Sequence, residues 1–383
     1  MIYSISVTFN GHTGQDAAEF DTKTFQKLVS YSLMCEFFAS LFGTFLNIFH
    51  LIILLRKAMR NSSTNIILIG MAMCDLIYMI IIWRNDLVLM NMMKECSIPR
   101  TLNQLRLDWF LTALHNMLRR CSAWLGMLMA VVRYLVITNI TIRNNRFSTP
   151  EYGLKVVIAA LIISSIFTFF FFADEQIKQI GTWTPDPKCA GLSGEHLVFA
   201  QKVNQYSDDR KSIQTRTGLI VEGIFSKMVP CFTLPIITGL LICGMKRSFA
   251  KNSSTVETSN KNIRVSRANR TTILTILIAG SFLLSEFPLG IVDLYKGIWP
   301  DDQSWFRYFI KVKKFINFLT SRDFCLNLEF ICDAIFSVNA SVHCLIIFIM
   351  SSQYRRTVWN LFGILKFWKS RNTSQIAAAS SSY

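Results

Sequence analysis

The chain contains a series of apolar stretches, and each is long enough to cross a lipid bilayer as a helix of about 20 residues. A soluble domain of 383 residues does not usually carry 31 phenylalanines and 51% hydrophobic residues. We therefore predict an all-α membrane protein built as one seven-transmembrane helix bundle. The predicted spans are Lys27–Leu55, Asn65–Trp83, Asn103–Ile137, Tyr152–Phe172, Thr217–Met245, Thr272–Leu294 and Asp323–Met350.

These spans divide the chain into a polar tail at residues 1–28, a bundle at 29–350 and a second tail at 351–383. The second tail opens with an amphipathic segment, Ser351–Trp368, which we expect to lie along the membrane surface before Ser-rich disorder. Between Trp299 and Arg322 the chain is basic and amphipathic, which predicts an interfacial helix rather than a span. A long polar loop, 173–216, joins the fourth span to the fifth. The N-terminus lacks a basic start followed by an apolar run, so we expect no cleavable signal peptide.

The net charge of +16 is distributed unevenly between the connecting segments. The connectors after spans one, three and five, together with the C-terminal tail, carry many Lys and Arg residues, opposed only by Glu151 and Glu257. Lys and Arg accumulate in cytoplasmic loops, so we predict an extracellular N-terminus and a cytoplasmic C-terminus, in the plasma membrane. Because topology accounts for the basic excess, we do not expect the chain to bind nucleic acid.

The third span carries arginines that a bilayer disfavours. A central arginine costs about 2.5–3.5 kcal/mol on insertion scales, so such a residue needs a partner or a purpose. At 100° per residue, Arg119 and Arg133 lie within about 40° of the same helix face. His115 and Ser122 share that face, whereas Arg120 points elsewhere and has no predicted partner.

Several residues occur at positions typical of one receptor superfamily. They are Asn47, Asp75, Arg133-Tyr134, the Phe282 to Pro288 segment, the Asn339 to His343 segment and Tyr354 to Arg356. Over about residues 30–360 the chain resembles the rhodopsin-like G-protein-coupled receptors. More narrowly, RRCSAWLG, SEFPLGI and MSSQYRRTV resemble the nematode serpentine receptor class W family, which is similar to receptors for FMRFamide-like peptides. The resemblance implies a receptor, not an enzyme, that transmits the binding of an extracellular ligand to a heterotrimeric G protein.

The resemblance assigns Arg133 and Tyr134 to the surface that contacts the G protein. Val132 stands where the family has an acid, so the usual local salt bridge is missing. An ordinary arginine at the membrane edge is the alternative. We also expect the Ser-rich tail to offer a contact for arrestin.

The resemblance also implies a polar core around the mid-membrane carboxylate of Asp75. Its members would be Asn47, Asp75, Ser122, Asn339 and His343. His343 replaces the usual Asn and Ile347 the usual Tyr, which puts sodium binding in doubt. A hydrogen-bonded network that only holds the helices together is the alternative interpretation.

In the sixth span Glu286 replaces the usual Trp, close to Pro288. We hypothesise that Arg119 and Glu286 form a buried ion pair that acts as a switch below the ligand cavity. The alternative is that each finds a separate partner, for example Arg119 with Asp333.

The outer cavity is predicted to hold more acids than bases. Such a lining suits an amidated peptide that bears Arg, because guanidinium pairs well with carboxylates. Charges at helix ends that are merely solvated are the alternative. The predicted lining residues are Trp83, His115, Arg119, Glu222, Glu286, Phe287, Asp293, Glu329 and Asp333.

Ten cysteines are spread along the chain without a CxxC pair, which argues against a zinc site, and we predict no metal or cofactor. Cys96 and Cys189 fall in polar segments that the topology places outside, so we predict a disulfide between them. The superfamily's cysteine lies nearer the third span, where this chain has Asp108.

A neuropeptide is the favoured ligand, and an environmental small molecule sensed by a chemoreceptor is the alternative. A channel or a transporter is a third interpretation, but the sequence shows no internal repeats of the kind that transporters have. Neither HExxH nor GxSxG occurs, as a metalloprotease or serine hydrolase would require.

Overall fold

The protein is mostly helical in a computed structural model. The model describes residues 17–92, 96–138, 146–172, 175–185, 188–189, 194–203, 216–251, 280, 282–295, 297–298, 322–350 and 352–363. Its helices are α1 (Ala17–Leu54), α2 (Ser63–Met92), α3 (Leu102–Thr138), α4 (Pro150–Phe172), α5 (216–251), α6 (282–295), α7 (Arg322–Met350) and α8 (352–363). A 3-10 turn, Arg146–Ser148, precedes α4, and two strands, β1 (Glu175–Trp183) and β2 (His196–Val203), follow it.

Five of these helices are long and apolar enough to cross a membrane. They include the segments Ser30–Leu54, Ser63–Met92, Pro150–Phe172, Arg216–Gly244 and Ile331–Ile349. The helix α3 is as long as the others but contains Arg119, Arg120 and Arg133, which lower its hydropathy. The described part of the chain therefore fits a multi-pass membrane protein.

The helices correspond to the predicted spans but differ from them in length at α1, α2 and α5, and most of the first half of the sixth predicted span lies outside the described residues. α1 begins at Ala17 and so includes part of the segment predicted as a polar tail. α2 continues to Met92, well past the predicted end at Trp83. α5 continues to Lys251, past the predicted end at Met245. The predicted interfacial helix between Trp299 and Arg322 lies outside the described residues, except for Arg322 itself.

Local sequence explains where α3 and α4 begin. The backbone N–H of Gln104 donates to the Thr101 hydroxyl at 3.4 Å, and the backbone N–H of Thr101 donates to the Gln104 side chain at 3.0 Å. This reciprocal capping box satisfies two backbone donors that a helix start leaves open. At the start of α4 the Thr149 hydroxyl accepts from the backbone N–H of Tyr152 at 3.4 Å, and Pro150 occupies the first helical position, where a missing N–H does no harm.

The bundle packs around α3, which contacts α2, α4 and α5. α1 packs between α2 and α7. Gly153 allows α4 to approach α2 closely, because a Cβ there would lie 2.5 Å from the Ser63 carbonyl oxygen. The apolar core lies between these helices, while α4 exposes Ile158, Ile162, Ile166 and Phe169 on its outer face. Such a face suits contact with lipid.

A π-helical segment, Glu222–Met228, interrupts α5 before its α-helical part, Val229–Lys251. Pro230 lies two residues after this segment and cannot donate a backbone hydrogen bond to the carbonyl of Ser226, so the regular i to i−4 pattern is broken here. The wider turn changes which residues share a helix face, and π-helical turns are frequent at functional sites.

The loop predicted between the fourth and fifth spans contains an antiparallel hairpin, which corrects the all-α expectation. β1 pairs with β2 from Glu175 opposite Val203 to Trp183 opposite His196, with a bulge between Gln179 and Gly181. The hairpin lies against α3, and we call this end of the bundle the hairpin end. Apolar and polar residues alternate only weakly in the two strand sequences, so the hairpin was not predicted.

The predicted disulfide between Cys96 and Cys189 is present, with Cα atoms 5.7 Å apart. It links the segment before α3 to the segment between the two strands. Asp108, near the start of α3, forms ion pairs with Arg84 of α2 and Arg100.

The surface helix expected after the seventh span is present as α8 and is anchored to α1. Tyr354 is fully buried, and its hydroxyl lies 2.9 Å from Nδ1 of His50. Burial raises the pKa of the Tyr354 hydroxyl, which keeps this group neutral. The Gln353 side chain donates to the Ala58 carbonyl at 2.6 Å, and the half-exposed ring of Phe362 lies 6.3 Å from that of Phe49 of α1. Trp359 is exposed. An amphipathic helix held in this way suits a membrane surface.

Replacing Cys96 or Cys189 by Ser is expected to lower stability by about 2–4 kcal/mol, because the cross-link restrains a long loop. The measurement is the melting temperature of the purified protein in lipid nanodiscs. The double replacement should be no worse than either single one, since one bond is lost in each case. Cys35→Ser, at an exposed free thiol, is the control and should melt like the wild type. Additive losses in the double variant would show that the two cysteines act separately.

Candidate functional site

Arg119 of α3 is buried and joins two acids from two other helices. Its Nε donates to Glu286 Oε1 of α6 at 2.8 Å, and its Nη1 donates to Asp333 Oδ1 of α7. The guanidinium carbon lies 5.1 Å from the ring centroid of Phe336, which packs beneath it. One cation therefore connects α3, α6 and α7 in the middle of the bundle.

The ion pairs of Arg119 with Glu286 and with Asp333 were predicted as alternatives, and the structure contains both. Each buried ion costs several kcal/mol to remove from water, and only close partners repay that cost. Because Arg119 serves two carboxylates, this group carries one more negative charge than positive when all three side chains are ionised.

Arg120, which had no predicted partner, donates four hydrogen bonds to residues of two other helices. Its Nη2 donates to Glu222 at 2.5 Å, and its Nε donates to the Ser226 hydroxyl at 2.8 Å. Its Nη1 donates at 3.0 Å both to the Ser164 carbonyl and to the Thr168 hydroxyl. The rings of Phe167 and Phe171 flank the guanidinium carbon at 5.7 and 5.8 Å. Arg120 thus ties α3 to α4 and to the π-helical segment of α5.

A third pair links the same π-helical segment to α6. Lys227 donates from Nζ to Asp293 Oδ2 at 2.6 Å. The two helices are close here, since a Cβ on Gly223 would lie 3.0 Å from the Gly290 carbonyl oxygen. Lys227 was not among the predicted site residues, although a basic residue inside an apolar span is the same signal that identified Arg119.

The structure gives internal partners to the described acids of the predicted ligand cavity. Glu286 and Asp333 share Arg119, Glu222 pairs with Arg120, and Asp293 pairs with Lys227. The expected acid excess in this set is therefore smaller than the sequence indicated. For Glu329 only the backbone, within α7, is described.

The aromatic residues predicted for the cavity lie on α2, α3 and α6. The ring of His115 stacks on Tyr78 with centroids 4.5 Å apart. Phe287 meets Phe232 edge to face at 5.8 Å, next to the half-buried Pro288. Trp83 is half-buried on α2.

The polar core predicted around Asp75 is present in part. The Ser122 hydroxyl donates to Asp75 Oδ1 at 2.5 Å, and both residues are buried. Asn47 instead donates to the carbonyls of Gly43 and Ala340, at 3.1 and 3.4 Å. Asn339 is buried on α7, and the side chain of His343 lies outside the described residues.

Arg133 and Tyr134 lie near the far end of α3 from the hairpin, half-buried beside α5. Gly244 of α5 approaches the ring of Tyr134, because a Cβ there would lie 3.8 Å from Cε2. No acid among the described residues forms an ion pair with Arg133, in keeping with Val132 at the preceding position.

Comparison with known proteins identifies one family. The family model for the serpentine type 7TM GPCR chemoreceptor Srw matches residues 34–365. Among curated proteins, the chain is similar to the sex peptide receptor of Drosophila melanogaster, with 21% identity over 255 residues. The match covers 63% of this chain and 55% of that protein, so the chain spans about half the length of this curated relative.

Replacing Arg119 by Gln is expected to cost about 3–5 kcal/mol of stability, because Glu286 and Asp333 would both lose their cation. Neutralising the two acids as well, with Glu286→Gln and Asp333→Asn, should restore most of the loss. The measurement is the melting temperature in lipid nanodiscs, with Arg106→Gln on the exposed face of α3 as the control.

A charge swap refines this experiment. Exchanging the charges with Arg119→Glu and Glu286→Arg should fail to restore stability, since the new carboxylate at position 119 would face Asp333. The same swap combined with Asp333→Asn should succeed. Rescue by the swap alone would mean that Asp333 contributes little to the group.

Replacing Arg120 by Lys is expected to destabilise the bundle almost as much as Arg120→Gln, by about 3 kcal/mol or more. A lysine cannot reproduce the planar fork that reaches α4 and α5 together. Hydrogen exchange should increase in residues 222–228, where two of the lost contacts lie. Arg106→Lys is the matched control, and full retention of stability in Arg120→Lys would contradict this prediction.

Proposed function

Since the chain belongs to the serpentine type 7TM GPCR chemoreceptor Srw family, we propose that it couples the binding of an extracellular ligand to a heterotrimeric G protein. The match of the family model to residues 34–365 is the observation that carries this proposal. The favoured ligand is a peptide. The receptor acts without enzymatic chemistry and without a metal or cofactor.

We propose seven spans, with the N-terminus outside and the C-terminus in the cytoplasm. The bundle occupies residues 29–350, between an extracellular tail and a cytoplasmic tail that begins at 351. The positive charge of the connectors after spans one, three and five supports this orientation. The disulfide near the hairpin supports it too, because disulfides persist in oxidising compartments.

The ligand enters from the hairpin end and reaches the ion pairs of α3, α5, α6 and α7. A peptide suits this site, because its charged groups can exchange with the internal partners of Glu222, Glu286, Asp293 and Asp333. His115, Trp83, Phe287 and Glu329 complete the proposed cavity. The similarity to the fly sex peptide receptor is the further reason to favour a peptide.

Activation shifts the bundle between two arrangements of the same helices. A ligand group that competes for Glu286 or Asp333 weakens the link that Arg119 makes between α3, α6 and α7. Pro288 gives α6 a point of bending close to that link. The Asp75 cluster, with Ser122, Asn47, Asn339 and His343, carries the change further along the bundle. Arg133 and Tyr134 at the cytoplasmic end then contact the G protein.

A chemoreceptor for an environmental small molecule is the second candidate function. The description of the matching family as chemoreceptors favours it. In either case the Ser-rich tail offers sites at which arrestin can bind after phosphorylation.

The test is a reporter cell that expresses the full chain with promiscuous G proteins. We expect a member of an amidated-peptide library to activate the reporter, and a panel of small odorants to remain silent. Activation by odorants alone would favour the chemoreceptor. A silent receptor in both panels, despite surface expression, would contradict the proposed function.

Two further measurements complete this test. Arg133→Ala should abolish the reporter response while leaving binding of the active peptide intact, because the change lies at the G-protein end. An epitope tag at the N-terminus should be accessible on intact cells. A tag reached only after permeabilisation would exclude the proposed orientation.

A further inference from the structure

Three buried carboxylates lie in one layer of the bundle, on α1, α2 and α7. Gly43, Met79 and Ser341 define a common depth, because a Cβ on Gly43 would lie 2.6 Å from Met79 Sδ and would also meet the Ser341 hydroxyl. Toward the hairpin end, Glu36 and Asp86 are each seven residues from that layer and Asp333 is eight. At 1.5 Å per residue, all three lie about 10–12 Å above it.

These three carboxylates are removed from solvent, and two of them, Asp86 and Asp333, repel each other. Glu36 is 2% exposed, Asp86 4% and Asp333 8%. Asp333 interacts electrostatically with Asp86, and both Glu36 and Asp333 act on the hydroxyl of Tyr78. An isolated ionised carboxylate is costly to bury, so this layer favours a nearby cation.

Asp86 differs from the paired acids of the bundle. Asp333, Glu286, Glu222 and Asp293 each have a basic partner, whereas no base in the described part of the chain forms an ion pair with Asp86. Its Oδ2 is buried without a hydrogen-bond donor. The Tyr78 hydroxyl, in a side chain with 0% exposure, also lacks a hydrogen-bond partner, as does Nη2 of Arg119. One buried acceptor, Asp86 Oδ2, and two buried donors, the Tyr78 hydroxyl and Arg119 Nη2, are therefore without a hydrogen-bond partner among the described residues of this region.

We propose that Asp86 anchors a subsite for an organic cation, the ammonium or guanidinium group of a ligand, with Asp333 as the second carboxylate. Trp83 lies three residues before Asp86, on the same side of α2, and its ring suits a cation. Tyr78 and the free Nη2 of Arg119 supply donors for an acceptor on the same ligand. The inference rests on the proposed function and specifies which ligand chemistry that receptor takes.

An organic cation fits this region better than a metal ion. The described residues contain no group of three or more His, Cys, Asp or Glu side chains that could hold a metal. A guanidinium or ammonium group instead needs only one or two carboxylates and an aromatic wall. Repulsion by Asp86 and Asp333 excludes an anion.

The test uses the full chain in lipid nanodiscs and three small probes: L-argininamide, L-lysinamide and L-citrullinamide. Citrullinamide has nearly the shape of argininamide but carries a neutral urea group. We expect the two cations to raise the melting temperature of the wild type with increasing concentration, and citrullinamide to have no effect. The argininamide and lysinamide responses show whether the subsite prefers guanidinium or ammonium.

Asp86→Asn should raise the argininamide concentration needed for a given shift by at least about thirty-fold, as expected when one side of a buried charge pair is removed. This variant keeps the side-chain shape and breaks no ion pair, so it should fold. Asp86→Glu retains the charge and should keep most of the response. Asp108→Asn is the matched control, since that acid lies toward the same end of the bundle but already pairs with Arg84 and Arg100.

An unchanged argininamide response in Asp86→Asn would overturn the proposal. So would an equal response of the wild type to citrullinamide, or no response to either cation. The peptide screen separates this outcome from the receptor function. A peptide that activates the chain without a cation response leaves the function intact and removes the subsite. A cation response without any active peptide supports the subsite and contradicts the proposed receptor function.

Discussion

Cationic side chains inside a bilayer-spanning bundle are the constraint on which the described interior depends. Arg119, Arg120 and Lys227 all point into the interior of the bundle, where an uncompensated charge costs several kcal/mol. Each is therefore held by an acid on a different helix: Arg119 by α6 and α7, Arg120 by α5, and Lys227 by α6. Between helices in a bilayer, apolar contact alone gives little preference for one packing partner over another. These ion pairs therefore determine which faces of the helices pack together.

The ion pairs also explain why α3 and α5 have their particular form. α3 directs Arg119 toward α6 and α7 and Arg120 toward α4 and α5, because adjacent residues on a helix lie 100° apart. α5 must turn Glu222 and Ser226 toward Arg120 while Lys227 faces Asp293 of α6. The π-helical segment Glu222–Met228 covers these three residues, and its wider turn is what adjusts their directions.

Helical periodicity predicted those parts of the site that lie on regular helices. It placed Arg119, Ser122 and Arg133 on one face of α3, and the contacts of Arg119 and Ser122 agree with that phase. It could not find the partner of Arg120, since Glu222 lies in a segment that departs from 100° per residue. The hairpin was missed because β1 alternates weakly and contains a bulge. Asp86 was missed because α2 was expected to end at Trp83, which left the acid in a connector.

The balance of charge in the bundle bears on what can bind there. Counting the buried or half-buried acids Glu36, Asp86, Glu222, Glu286, Asp293 and Asp333 against Arg119, Arg120 and Lys227, acids exceed bases. Arg119, Arg120 and Lys227 sit on α3 and α5, and Arg84 of α2 is already paired with Asp108. Glu36, Asp86 and Asp333, in contrast, lie on α1, α2 and α7. A cation entering from the hairpin end is attracted to that side and away from the Arg120 cluster. Asp333 lies in one layer with Glu36 and Asp86, and it also pairs with Arg119. A cation near Asp86 therefore alters the electrostatic field at the point where α3, α6 and α7 are joined. In the proposed subsite, recognition of a cation and rearrangement of the helices would depend on the same carboxylate.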